Sequence, residues 1–312
     1  MTQLGGLGSV LVCGALLLAV PGCGNASDLA GPEPTTRETR STAPTTVIPP
    51  PTQPPTTFPT TTSTTTPTTP PTPTATTTPA GPPSAGSCLH LPPADLARPA
   101  LVGAPPRVHC SERHNAQVAF VGTMNADLRR AVADADVSRI ASLTDGVCRR
   151  NVVSWLDTDE AGYEISRFQY LVTTPSRSDT AAGASWFTCM TYALRRPDQS
   201  VTLPRSVQGL LSSHRADDYG TCAKGSIKNA GNDAVICTVR HNWRAISVIR
   251  FGGANADYPG DATLRGRAKP RCSSAVGDYV KLATYDYGYT WPSRATWRSG
   301  DRYGLCYAKV AH

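Results

Sequence analysis

Two cysteine–histidine motifs carry the side chains of this chain best suited to chemistry. CSERHN stands at residues 110–115 and CTVRHN at 237–242, so each motif places a Cys four residues before a His. A thiolate and an imidazole could supply half of a zinc site. With a free activated thiol they could instead form a nucleophile and its base. The redox compartment and the remaining cysteines decide between these readings.

The N-terminus has the features of a bacterial export signal over residues 1–23. An apolar run from Leu4 to Val20 ends in small residues and is marginal in length for a membrane span. The segment Val20-Pro21-Gly22-Cys23 resembles a lipobox, although the leader has no Lys or Arg and Pro21 is unusual there. We therefore predict an extracytoplasmic, membrane-anchored lipoprotein acylated at Cys23. An uncleaved N-terminal anchor, plain secretion and a misassigned start are the alternatives.

Residues 24–85 form a Thr/Pro-rich segment that has no Asp, Glu, Lys or Arg after Arg40. Such a composition buries too little apolar surface to offset the entropy of ordering. The segment is therefore predicted to be a disordered stalk. Thr/Pro tracts outside the cell are often O-glycosylated, which the sequence leaves open.

The part of the chain after the stalk contains eight cysteines. An even number in an oxidising compartment predicts disulfides, which removes the thiolates that a metal site or a nucleophile would need. We therefore expect no metal, no cofactor and no catalytic residue. The His and Asn of each motif are expected to hydrogen-bond local backbone. The cysteines are Cys88, Cys110, Cys148, Cys189, Cys222, Cys237, Cys272 and Cys306.

An internal duplication explains why the motif occurs twice. TTPSRSDTAAGASWFTC (173–189) and TWPSRATWRSGDRYGLC (290–306) align without a gap. They share a Thr, the Pro-Ser-Arg turn, a Gly and the final Cys. The sequence therefore predicts two tandem copies, over residues 86–200 and 218–312, with four equivalent cysteines each.

Hydrophobic patterning predicts that each copy is a small α+β unit. Alternating apolar residues predict strands at 117–122, 166–174, 245–251 and 285–291, and a further strand around each final Cys. Residues from Ile140 to Trp155 follow helical spacing, with Cys148 beside the apolar face. The corresponding segment 258–272 contains Pro270, which should break or kink a helix there.

Four cysteines in each half allow three pairings. The first two cysteines are close in sequence, and a helix packed on a sheet could bring the third over the last strand. These points favour Cys88–Cys110, Cys148–Cys189, Cys222–Cys237 and Cys272–Cys306. A duplicated unit should also have no bridge between its copies.

At these residues the chain resembles the actinobacterial septum-formation domain family, in two copies. The resemblance rests on a Gly-x-Cys start, Cys-x-x-x-His, a Cys in a helix, and a Pro, Trp-x-x-Gly and final Cys. The second half matches through Cys237/His241 and Trp297–Arg302, whereas the first half has Thr180 where Trp297 stands. Gln117 and Arg244 replace the acidic residue of the family three positions after the His. The resemblance implies a link to division or the cell envelope, with no particular reaction.

The sequence favours a non-catalytic envelope protein that binds a polymer or a division-associated protein. It contains none of the common hydrolase, protease or P-loop motifs. The net charge of +7 suits anionic envelope material as well as mere solubility, and no nucleic-acid partner is expected. An envelope enzyme without a recognisable motif and a small-ligand-binding regulatory domain are the alternatives. His114, His241 and Trp297 are the candidate binding residues, with core packing the competing role of the tryptophan.

Overall fold

The computed structural model describes residues 81–227 and 234–310, which build two β-sheets, each packed against helices. The expected export signal, Cys23 and nearly all of the 24–85 segment lie outside the described residues. Within the described ranges, no helix is both long and apolar enough to cross a membrane.

The first sheet has seven strands within the described residues. Its order is β2-β5-β6-β4-β1-β3, with β7 paired to β6; β2 runs parallel to β5 and the other pairs are antiparallel. The predicted strands at 117–122 and 166–174 correspond to β4 and β5. The strands are β1 Cys88–Leu89, β2 Ala100–Val102, β3 Arg107–Val108, β4 Ala116–Thr123, β5 Phe168–Thr174, β6 Trp186–Arg196 and β7 Gln199–Ser200.

The longest helix of the first half covers one face of this sheet. Asp136 caps it by accepting a hydrogen bond from the backbone N–H of Arg139. Ile140, Cys148 and Val152 are fully buried at helical spacing, so the predicted helix is present with its predicted apolar face. The helices of this half are α1 Pro93–Leu96, α2 Ala126–Ala133, α3 Val137–Trp155, α4 Glu160–Ile165 and α5 Arg177–Ala181.

The second sheet has five antiparallel strands within the described residues, in the order β11-β12-β10-β8-β9. The corresponding strands of the first sheet lie in the order β5-β6-β4-β1-β3. The first sheet has two additional strands: β2, which pairs with β5, and β7, which pairs with β6. The elements are β8 Thr221–Ala223, β9 Ala234–Ile236, β10 Trp243–Arg250, α6 Asp261–Val280, β11 Tyr287–Tyr289, α7 Arg294–Arg298 and β12 Tyr303–Lys309.

Helix α6 continues through Pro270, so the proline does not break the helix there. Pro270 is exposed, whereas Leu264, Cys272 and Val276 are fully buried on the side that faces the sheet. The hydrogen bond that proline cannot donate is therefore lost on the solvent side. Burial of the opposite stripe, together with the disulfide of Cys272, outweighs this local cost.

The segment between the halves packs into the first half. Leu203 donates its N–H to His114 O, and Gly209 donates to Trp155 O. The Tyr219 ring stacks on Phe168 at 5.1 Å between centroids. Ile236, from the second half, belongs to the same buried cluster. The two halves therefore share part of one core.

All eight cysteines of the described part form disulfides with the pairing expected from the sequence. Two bridges, Cys88–Cys110 and Cys222–Cys237, close the loop before the central strand of each half. Cys148–Cys189 joins α3 to β6, and Cys272–Cys306 joins α6 to β12. None of these bridges connects one half to the other.

Candidate functional site

His114 lies at the entrance of β4 and is 2% exposed. Its Nδ1 is 2.8 Å from Glu112 O and its Nε2 is 2.9 Å from Pro204 O. The amide of Asn115 pairs with both backbone groups of Leu91. The first motif therefore fixes the Cys110 loop and the inter-half segment, as expected for side chains that hydrogen-bond backbone.

His241 lies in a cluster that has the composition of a metal site. Its ring and the sulfurs of Cys222 and Cys237 come within 4.8 Å of one another, the one such group found among the described residues. Because the two sulfurs are joined in a disulfide, neither is a thiolate that could bind zinc. Nδ1 of His241 lies 2.8 Å from Val239 O, which repeats the local contact of His114.

The two residues that replace the family's acid contact the segment between the halves. Gln117 donates to Arg205 O at 3.1 Å and accepts from the N–H of Val207 at 2.9 Å. Arg244 forms an ion pair with Asp217. These positions therefore hold the inter-half segment in place.

Trp297 is the buried residue of α7 and is 4% exposed. Its Nε1 donates to Ala256 O at 2.8 Å, and the Arg302 guanidinium lies 4.1 Å from its ring. Tyr258 meets the ring edge-on at 5.6 Å. The structure therefore places this candidate binding residue in packing contacts, and a ligand role for it stays a prediction.

A cleft runs between the two halves, and it has two parts that share Glu164, Gln169, Asp301 and Tyr303. We call the part lined by Arg149 the arginine groove, and the part lined by Tyr287, Tyr289 and Trp291 the aromatic groove. Their volumes are about 1080 and 1090 Å³, which is large for a small-molecule pocket. None of His114, His241 and Trp297 is among the residues that line either groove.

Arg149 is the centre of the arginine groove. It forms ion pairs with Glu160 at 2.6 Å and with Glu164, two residues one helical turn apart on α4. Tyr303, from the second half, donates its hydroxyl to Glu160 at 3.0 Å. The Tyr303 ring also lies between the guanidinium groups of Arg149 and Arg250, at 5.6 and 5.9 Å. This network links α3 and α4 to the second sheet.

Burial and charge shift the pKa values of these groups. Burial raises the pKa of Glu164 in spite of its bond to Arg149. Burial lowers the pKa of Arg149, but its bonds to Glu164 and Glu160 outweigh this and raise it overall. Burial and the bond to Glu160 raise the pKa of Tyr303. The arginine therefore stays charged, and the phenol stays a hydrogen-bond donor.

The aromatic groove lies beside the second sheet. Tyr287, Tyr289 and Trp291 follow one another along one face of β11 and its extension, with centroids 6.2 and 5.9 Å apart. Trp243 and Tyr307 line the groove from the opposite face of the sheet. Burial raises the pKa of Tyr307 to about 12, against the opposing effect of Arg167. The groove thus combines flat aromatic rings with neutral hydroxyls.

Sequence reasoning did not identify the cleft. Arg149 and Tyr303 lie far apart in the chain, and nothing in their local sequence links them. Glu160 and Glu164 are four residues apart, a spacing that places both on one helix face. This spacing is the one feature of the local sequence that points to the cleft. The aromatic alternation at 285–291 predicts a strand, but the strand there is shorter, Tyr287–Tyr289. Tyr287, Tyr289 and Trp291 line the groove.

The fold and the four disulfides indicate an extracytoplasmic α+β domain. The family model for septum formation matches residues 85–306, which include both halves, so the chain belongs to the septum-formation family. Membership indicates a role in cell division or the cell envelope. No curated protein and no solved structure matches the chain.

Proposed function

We propose that this protein is a non-catalytic envelope module that binds a polymer or a protein partner in the cleft between its halves. The observation that carries the proposal is the chemistry of the cleft, where aromatic rings and arginines line the walls and the carboxylates are engaged. Glu160 and Glu164 share Arg149, Asp145 accepts from the Tyr170 hydroxyl, and Asp301 accepts from a backbone N–H.

An enzyme is the alternative that converging carboxylates would favour, and Glu160 and Glu164 do converge. Both are bound to the same guanidinium, so protonation of either carboxylate would weaken its ion pair with Arg149. A general acid–base pair needs groups that are free to exchange protons with a substrate. The arrangement therefore supports binding over hydrolysis.

We also propose that the halves are two copies of one duplicated unit. The common strand order of the two sheets, the equivalent disulfides and the aligned 173–189 and 290–306 segments support this. Ser176 and Ser293 each cap the short helix that follows the shared turn. At equivalent positions after this turn, the second copy has Trp297 and the first has Thr180.

Anchoring through a lipidated Cys23 and presentation on the 24–85 stalk complete the proposal. The lipobox-like segment and the Thr/Pro composition support it. Cys23→Ala should release the protein from the membrane fraction into the medium or leave it uncleaved. Unchanged membrane retention at the same processed mass would contradict lipidation.

Binding is tested by co-sedimentation of the full chain with purified cell walls and by cross-linking in isolated envelope. Gln169 is exposed and lines both grooves, whereas Gln208 is exposed on the inter-half segment. Gln169→Trp should obstruct the cleft and reduce capture, and Gln208→Trp is the matched control. Equal capture of the two variants would contradict the cleft as the site. Release of soluble wall fragments by the purified protein would favour the enzyme.

A further inference from the structure

Among the described residues, no strand covers the outer edge of β11, whereas the equivalent edge of the first sheet is covered. In the first sheet, β2 adds in parallel to β5, pairing Ala100, Leu101 and Val102 with residues 172–174. The equivalent residues of the second half are 289–291. Among the described residues, β11 pairs only with β12.

Exposure of the side chains follows this difference. Val172 is 1% exposed, and Thr173 and Thr174 are fully buried. Tyr289 and Trp291, the counterparts of Val172 and Thr174, are only half-buried. Two aromatic side chains thus stand at an edge that no strand of the described part covers.

The backbone groups of β11 alternate in direction, as in any strand. Thr290 donates to Leu305 O and Asp286 accepts from Lys309 N, so these residues point toward β12. The N–H and C=O groups of Tyr287 and Tyr289 therefore point away from β12. An open edge of this kind is a template for another strand.

The helix beside the open edge is basic. In the first half, Ala141 of α3 packs against the cluster that contains Ala100 of β2. Counting from the equivalent helix cysteines, Arg265 of α6 stands in place of Ala141, and Lys269 in place of Asp145. Both side chains are exposed, and Arg265 lines the aromatic groove with Tyr289 and Trp291.

Two acidic residues near this edge already have partners. Asp286 forms an ion pair with Lys309 at 2.7 Å. Asp261 accepts hydrogen bonds from Tyr258 and Trp291, which lower its pKa. A second copy of this chain pairing through β11 would place two α6 helices, each with exposed Arg265 and Lys269, beside one sheet, and their net positive charges would repel. Charge therefore favours an acidic strand over a second copy.

We propose that the β11 edge binds an extended, acidic peptide segment of a partner protein as an added parallel strand. Main-chain hydrogen bonds to Tyr287 and Tyr289 would hold it, as in other cases of strand addition. Acidic side chains at alternate positions would face Arg265 and Lys269. The inference rests on the proposed binding function and names the partner as a peptide.

The experiment uses the full-length chain and fluorescein-labelled pentapeptides with blocked ends. The probe peptide alternates valine and glutamate. A second peptide of the same sequence is N-methylated on alternate residues, which removes the hydrogen-bond donors of its main chain at those positions. A valine–lysine peptide reverses the charge. We expect saturable anisotropy binding of the valine–glutamate probe, with at least about tenfold weaker binding of the other two. No saturation by about 1 mM protein, or equal binding of all three peptides, would overturn the proposal.

Variants assign the binding to this edge. Tyr289→Pro removes an outward N–H without removing a bond to β12, and Tyr289→Phe is its control. We expect loss of binding in the first and retention in the second. Arg265→Glu with Lys269→Glu should transfer preference to the valine–lysine peptide. This charge reversal needs no change in β11, so it tests the site even where the proline variant fails to fold. Unchanged preference in the charge-reversed protein would overturn the assignment.

Self-association is measured by sedimentation velocity on the same proteins. A dimer that Tyr289→Pro abolishes would assign the edge to a second copy and overturn the proposal. Envelope capture without peptide binding would leave the proposed function standing and refute this inference alone. Peptide binding without envelope capture would instead contradict the proposed function.

Discussion

Replacement of Arg302 by lysine should destabilise the second half strongly, although the charge is retained. Arg302 is 8% exposed and donates to four carbonyl oxygens: Gly253 at 3.1 Å, Ala254 at 2.8 Å, Trp297 at 2.5 Å and Asp301 at 2.9 Å. Its planar fork thereby ties the loop after β10 to the end of α7. A lysine ammonium presents its donors from one point and cannot reach both loops.

The magnitude follows from the bonds that lysine leaves unmade. If two of the four are lost, at about 1.5 kcal/mol each for a charged donor, the cost is about 3 kcal/mol. Stacking on Trp297 at 4.1 Å would weaken as well, which adds to the loss. For a domain of this size we expect the melting temperature to fall by roughly 6–12 °C.

Urea unfolding with the disulfides intact measures this loss, with Arg298→Lys as the matched control. Arg298 is exposed on the same short helix, so its replacement should change the unfolding free energy by less than about 0.5 kcal/mol. An Arg302→Lys protein as stable as the Arg298→Lys protein would refute the reasoning. It would mean that the two loops hold their positions without the guanidinium.

Three further changes test other parts of the structure. Removing the Cys272–Cys306 bridge by a double change to alanine should cost about 3–4 kcal/mol in denaturant unfolding; a loss below about 1 kcal/mol would contradict this. Gly304→Ala places a Cβ 2.2 Å from the backbone oxygen of Thr290, just after β11, and should cost about 2 kcal/mol or more. Gly266→Ala, which meets nothing within 4 Å, should be neutral or stabilising. Glu164→Gln tests the raised pKa of this carboxyl. Because the folded protein binds this proton more tightly than the unfolded chain, wild-type stability should fall relative to the variant as pH rises from below 4.5. If the melting temperatures of the two proteins change in parallel as pH rises from below 4.5, the raised pKa of Glu164 is contradicted.

The strands and the disulfides were accessible from the sequence because both depend on local or repeated patterns. The alternation at 117–122 and 245–251 predicted β4 and β10, and the close spacing of Cys222 and Cys237 favoured their pairing. Helix α6 was harder, since the cost of Pro270 is local whereas the burial that offsets it is tertiary.

The cleft was not accessible for a related reason. Tyr303 meets Glu160 across 143 positions of sequence, so no spacing rule connects them. Strand β2 is not predictable from its sequence either, because three residues are too few to show an alternation of apolar and polar side chains. Its presence is what distinguishes the two sheet edges. The sequence leaves Trp297 between a binding role and core packing, and the structure shows one of its packing partners, Arg302.

The four disulfides also determine how the molecule responds to mechanical load. A pull on the residues before Gly86 passes through the backbone pairs of Gly86 and Ser87 with Val118 and reaches Cys88 almost at once. From there, tension crosses each bridge covalently and bypasses the enclosed residues. The bridged cysteines are separated by 22, 41, 15 and 34 positions, so those stretches cannot lengthen. Within 88–306, lengthening under load is therefore confined to the segments between the bridges, 110–148, 189–222 and 237–272. Both grooves keep most of their walls inside loops that force cannot open.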